Sequence, residues 1–265
     1  MIKITKKLDT NNLTSRNNTF IFLLYIYLIT FFANKLKFSL RESVLFFSFL
    51  VLNPYITRYH LFNPMQSHDM LFFCLCILFT YSVIKNKFIL NIFATVVTIF
   101  LRQTSIALFF SSLVYLIFNK KIKLILLLCS TYFLSLLIIV YVGKYISTDT
   151  FPFQTAYRLF FYDFTQIETL LRFALLPLLS FFPLFLFFLS KVKKNIDIKI
   201  VLVLLIPCIM MIAQPYLGGP TSTGRNIVRI TTLCYPILTI LIFYSFDLKK
   251  IINNNLIFFP YLFSL

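Results

Sequence analysis

Arg102, Gln103, Thr104 and Ser105 stand together between two apolar runs, 88–101 and 105–118. A guanidinium presents a planar fork of five N–H donors, which grips a phosphate or carboxylate at two points. No acid lies near Arg102 in the sequence to occupy that fork, so the spacing points to an anionic ligand. A second polar stretch runs from Arg58 through Asn63 and Pro64 to His68 and Asp69, where a new apolar run begins. An acid at that place caps a helix start and suits its dipole. It could equally be a carboxylate at the mouth of a cavity, with His68 as a titratable neighbour, and Asp69 is the weak candidate for a catalytic base. A third stretch, 218–226, holds three of the chain's four glycines and ends on Arg225 and Asn226. Arg225 and Arg229 share a helix face at i, i+4 and repel unless an anion lies between them. Backbone N–H groups at a helix start would help to hold that anion. Arg58, His68, Asp69, Arg102, Gln103, Arg225, Asn226 and Arg229 are the candidate substrate-binding residues. Between these stretches, Arg158 with Asp163, and Glu168 with Arg172, fit local ion pairs.

Other chemistries lack their residues. No Gly-Lys-Ser/Thr follows the glycine cluster, so it is not a nucleotide phosphate loop. Two histidines and no ligand spacing imply no metal, and no cofactor fingerprint is present. Cys74, Cys76, Cys129, Cys208 and Cys234 all sit in apolar runs, where a thiol is a small hydrophobe. No disulfide is expected.

The elements that must carry these residues are apolar throughout. Of 265 residues, 60% are hydrophobic and 12% charged, with mean hydropathy +0.89. Soluble domains run at about 45–50% apolar and about 25% charged. A bilayer core of about 30 Å takes about 20 apolar residues of helix. The candidate spans are 19–34, 43–55, 69–84, 88–101, 105–118, 122–142, 167–190, 198–215 and 227–246. These are apolar all round rather than alternating, so the expected fold is all-α: a polytopic transmembrane helix bundle of about 8–10 membrane segments. The expected division is a polar segment at 1–18, a transmembrane helical domain at 19–246 and a tail or half-span at 247–265. As one helix, 88–118 would be about 46 Å long, too long for a single crossing, and lysines flank both of its ends. A hairpin turning at Arg102-Gln103-Thr104 is therefore expected. Non-helical backbone at that depth must be buried in protein or line a wet cavity.

The net charge of +17 is read as membrane topology rather than nucleic-acid binding. With 19–34 running from outside to inside, the inner loops hold Lys35, Lys37, Arg41, Lys85, Lys87, Lys120, Lys121, Lys123, Lys191, Lys193, Lys194, Lys199, Lys249 and Lys250. The outer side holds Arg58, Arg102, Lys144, Arg158, Arg172, Arg225 and Arg229. Inner charge is nearly all lysine and outer charge nearly all arginine. Lysine inside satisfies the positive-inside rule, whereas arginine outside has no such reason and suggests a held anion. Lys3, Lys6, Lys7 and Arg16 fit neither side.

Asn63-Pro64 followed by Ser67-His68-Asp69, the lysines at 85 and 87, and Leu101-Arg102-Gln103-Thr104-Ser105 resemble, in that order, the C-type glycosyltransferases that use polyprenyl-phosphate sugars. The Arg102 stretch is similar to the Arg-Gln-Thr-Asn motif of the dolichyl-phosphoglucose α-1,2-glucosyltransferase family, and Leu13, Arg16 and Asn18 to a Leu-Arg-x-x-Asn element there. Gly224-Arg225-Asn226 with Tyr235-Pro236 is loosely like a late outer loop of bacterial relatives. The resemblance covers about the first half of the chain. It implies transfer of a sugar from a polyprenyl-phosphate donor to a lipid-linked or surface glycan acceptor, in the cell membrane or endoplasmic reticulum membrane, with arginines on the phosphate and an Asp as base. Family members carry one more span and an outer loop with that Asp ahead of this start, and Asp9 does not match it. A missing beginning, or a member lacking the base, is the expectation. The competing readings are a transporter or flippase for lipid-linked sugars and a non-catalytic membrane subunit.

Overall fold

The computed structural model describes residues 2–51, 67–102, 104–146, 181, 184, 192–193, 196–217 and 230–246. Among these the fold is all-helical: α1 (Ile2–Lys35), α2 (Leu40–Val51), α3 (Ser67–Ile84), α4 (Phe88–Ile99), α5 (Ser105–Phe118), α6 (Ile122–Ile146), α7 (Ile198–Leu217) and, after a 3-10 turn at Thr232–Cys234, α8 (Tyr235–Ser245). An isolated antiparallel bridge, Val192 with Phe246, is the only extended pairing among the described residues.

The helix α1 begins at Ile2 rather than near residue 19, so the polar segment continues the first apolar helix and gives 34 helical residues, about 51 Å. Polarity does not stop a helix when no Pro or Gly interrupts it. The start of α2 is also earlier than the apolar run. Glu42 Oε2 accepts from the Ser39 N–H at 2.8 Å, and the Glu42 N–H donates to Ser39 Oγ at 3.3 Å, which is a reciprocal capping box. At α7, Asp197 accepts from the Lys199 N–H at 2.9 Å. The expected span at 167–190, the loop at 218–226, the pairs Arg158–Asp163 and Glu168–Arg172, and the tail at 247–265 fall largely or wholly outside the described residues.

Helix α3 is the hub, packed against α1, α4, α7 and α8. Phe72, Phe73, Cys76 and Phe79 are buried on it, and no side of the helix from Met70 to Val83 is free of neighbours. Aromatic rings fill the space around it. Phe32 stacks on Phe46 at 6.0 Å, and Phe46 meets Phe243 edge-on at 5.1 Å. The Tyr25 hydroxyl donates to the Leu50 carbonyl at 3.1 Å, tying α1 to α2.

Three reversals share one end of the molecule. After α1, the Phe38 N–H donates to Ala33 O and the Lys37 N–H to Asn34 O. After α3, Lys87 donates to Ser82 O and Asn86 to Val83 O. After α5, Lys121 donates to Leu116 O and Lys120 to Ile117 O. Each is a 6→1 and 5→2 pair closing a helix on a left-handed residue. That residue is Lys37, Asn86 or Lys120, with φ of 57°, 54° and 55°. Ring contacts bring the three together: Phe32 meets Tyr81 at 6.1 Å, and Phe88 stacks on Tyr115 at 5.4 Å. The end of α8 joins them, where the Lys193 ammonium donates to Phe243 O at 2.9 Å and Phe38 packs on Phe243. The lysine loops therefore lie at one pole.

One stretch among the described residues, Ile122–Val142 in α6, is long and apolar enough to cross a membrane. Only 17% of its most apolar window is buried, unlike the core helix of a soluble protein. Ile122, Leu126, Phe133, Leu137 and Val140 face outward.

Candidate functional site

The run 88–118 turns back on itself. Its first limb ends in tightening turns: Phe100 and Leu101 donate to carbonyls three residues back. Arg102 O then accepts from the Ser105 N–H, and Thr104 O from the Ala107 N–H, as α5 begins. Thr95 Oγ1 on α4 lies 2.7 Å from Ser112 Oγ on α5, two atoms that a continuous helix would hold about 25 Å apart. Small residues line this seam. Ala94, Thr95 and Thr98 on α4 and Ala107, Ser111 and Ser112 on α5 are all buried, and small side chains let helix backbones approach closely. Ser111 also donates to the Val203 carbonyl, which fastens the hairpin to α7.

The hairpin stops part-way up α6. Ser105 Oγ is 3.5 Å from the Tyr132 hydroxyl, and Phe109 stacks on Tyr132 at 4.0 Å. Tyr132 lies ten residues past Ile122, about 15 Å along a helix of 25 residues. The turn at 100–104 thus sits at mid-height of α6, not at its far end.

At this turn the Arg102 guanidinium donates through Nη2 to Asp69 Oδ1 in the first turn of α3. The acid that Arg102 lacks in its own neighbourhood comes from 33 residues away. Asp69 is fully buried, while the Arg102 side chain is 25% exposed. An unpaired buried carboxylate would cost several kcal/mol, so the pair fixes the start of α3 and the hairpin turn together. The fork is not used up: Arg102 Nε is buried without a hydrogen-bond partner among the described residues, and so is Thr104 Oγ1. Thr104 is helical, with φ −60° and ψ −11°, and makes no side-chain cap bond. Two buried polar atoms of this turn, one of them on the partly exposed cation, are therefore unsatisfied. The exposed edge of the guanidinium can meet an oxyanion, whereas Nε and the Thr104 hydroxyl, both closed to solvent, would reach it only if the turn opens.

The candidate residues divide accordingly. Asp69 and Arg102 come together. His68 is exposed, turned away from its buried neighbour, as a 100° step along a helix dictates. Arg58, Gln103, Arg225, Asn226 and Arg229 lie outside the described residues. Tyr132 was not foreseen. The sequence marks it only as one of a cluster of hydroxyl residues, Ser130, Thr131, Tyr132 and Ser135, within the long apolar run. No protein-family model matches the chain, and neither does any curated protein or solved structure.

Proposed function

We propose that the chain is a multi-pass α-helical membrane protein that takes a polyprenyl-phosphate sugar at the Arg102 turn and transfers its sugar to a lipid-linked or surface glycan acceptor. The observation that carries this reading is the Arg102 guanidinium, held by buried Asp69 yet still partly exposed and with an unsatisfied Nε. A charge at membrane depth is costly and most often functional. A turn at mid-height of a span needs either protein or a wet cavity around it. A partly exposed guanidinium at that turn suits a lipid phosphate, which stays near the bilayer while its sugar projects into water. The outward apolar face of α6 and the gathering of lysines at the opposite pole support the membrane setting.

In this reading Arg102 stabilises the phosphate as it leaves, the acceptor hydroxyl attacks the sugar as the sugar–phosphate bond breaks, and the departing polyprenyl phosphate takes up the hydroxyl proton. Asp69 is engaged with Arg102 and closed to water, so its part is to position the guanidinium rather than to remove the acceptor proton. Membranes containing the protein, given labelled polyprenyl-phosphate sugar, should form a glycosylated product. Arg102→Ala should reduce that product at least about 100-fold while the protein stays in the membrane. Undiminished product from the variant would remove Arg102 from the site, and labelled donor crossing the bilayer unchanged would favour a transporter.

A further inference from the structure

We propose a second binding site, for an anionic glycerophospholipid, in a cleft at the lysine pole, far from the Arg102 turn. The cleft has a volume of about 510 Å³ and lies between the α3–α4 reversal and α6, lined by Tyr81, Asn86, Lys87, Phe88, Leu90 and Leu124. That volume is of the size that holds small ligands. Its walls are rings and aliphatic side chains, which suit an acyl chain.

The mouth is cationic. Lys87 lines the cleft itself, and the Lys121 ammonium lies 5.3 Å from the centre of the Phe88 ring, so two reversals bring their charges to one wall. Lys85, Lys120 and Lys123 flank them, and all five side chains are exposed. None of the five forms an ion pair among the described residues. Among the described residues no acid lines the cleft, and Glu42 and Asp197 each cap their own helix start. Uncompensated lysines beside an apolar cleft are repelled by one another and relieved by an anion. Basic pockets between helices at the positive face are where anionic headgroups bind. Asn86 adds direction: its Oδ1 accepts from the Tyr115 hydroxyl at 3.1 Å, which leaves the amide nitrogen for a headgroup oxygen. Lysine suits a lone phosphodiester charge, for which no bidentate fork is needed.

The inference rests on the membrane reading and not on sugar transfer. The test is native mass spectrometry of the purified full chain in detergent, titrated with phosphatidylglycerol and with phosphatidylcholine. Phosphatidylglycerol should be retained at least about 10-fold more tightly. Replacing Lys87, which lines the cleft, together with Lys121 over the Phe88 ring, Lys87→Ala with Lys121→Ala, should weaken it about 25-fold, at about fivefold per lysine. Lys35→Ala with Lys37→Ala, on the same pole but away from the cleft, should change it less than about threefold. Helix content by circular dichroism checks that each double variant folds; if the cleft pair does not, Lys87→Gln alone should still give about a fivefold loss. Equal retention of the two lipids overturns the site. So does equal weakening by the remote pair, which would mean diffuse charge, or displacement by glycerol phosphate at the lipid's own concentration, which would mean that the chains contribute nothing. Carbonate washing of native membranes separates the two failures. Release of the protein overturns the membrane reading and the site with it, whereas retention without lipid preference overturns the site alone.

Discussion

Asp69 and Arg102 make different demands, and substitution should separate them. Asp69→Ala leaves a guanidinium facing a buried gap. Breaking such a pair costs about 3 kcal/mol, the low end for a buried pair because Arg102 keeps partial access to water. The expected result is a lowered thermal midpoint by circular dichroism together with loss of transfer. Asp69→Asn keeps a carbonyl acceptor and should recover most of the stability. If Asp69 were instead the base, the Asn variant would be stable yet as inactive as the Ala variant. The pair was not legible in the sequence: residues 33 positions apart leave no periodic trace, and each side had a sufficient local account, a helix cap for one and an anion for the other. What was legible was that Arg102 needed a negative partner.

At the scale of elements, two devices hold the helices in place. The first is the left-handed closure of three reversals by Lys37, Asn86 and Lys120, where glycine would be at ease. A left-handed residue with a Cβ costs about 1–2 kcal/mol, less for Asn. Lys120→Gly should therefore raise stability by about 1 kcal/mol and Asn86→Gly by less, measured as shifts in chemical denaturation. Lys120→Val, branched at Cβ, should lower it. The second device is the Thr95–Ser112 bond across the hairpin seam. A double-mutant cycle with Thr95→Val and Ser112→Ala should return a coupling of about 0.6 kcal/mol, and zero coupling would mean that the two hydroxyls do not meet. The hairpin itself could be read from arithmetic, because a largely apolar run of 31 residues, 88–118, with lysine at both ends fits neither one crossing nor two. The end of α1 could not. Residues 2–18 are polar, and apolar periodicity says nothing about a helix that needs no apolar face. The α2 start carried its signal in Ser39 and Glu42, a spacing overshadowed by the stronger apolar run that begins a few residues later.

For the whole molecule, the gathering of the three lysine-bearing reversals at one pole is the organising fact. Lysine position is a one-dimensional property, so the grouping of 35–37, 85–87 and 120–123 could be foreseen, and the reversals do gather at one pole. It gives a direct test in sealed vesicles with the native cysteines replaced. Asn86→Cys and Lys120→Cys should react with a membrane-impermeant maleimide from the same side, and His68→Cys, at the other end of α3, from the opposite side. Reaction of His68→Cys and Asn86→Cys from one side would refute α3 as a crossing.

The two limbs of the hairpin have 12 and 14 residues, about 18 and 21 Å, beside an α6 whose apolar stretch is 21 residues. If these helices cross a bilayer as proposed, with a hydrocarbon core of about 30 Å, one leaflet would meet the long α6 on one flank of the hairpin and a shortfall at its turn. Lipids in that setting would tilt or shorten to fill the step, at a fraction of a kcal/mol for each ångström of mismatch. The membrane would be dented where the hairpin ends. A long-chain lipid phosphate could then descend to the depth of Arg102 without leaving the leaflet, so the thickness of the surrounding bilayer becomes a control on access. Reconstitution in lipids of increasing acyl length should slow any reaction at that turn.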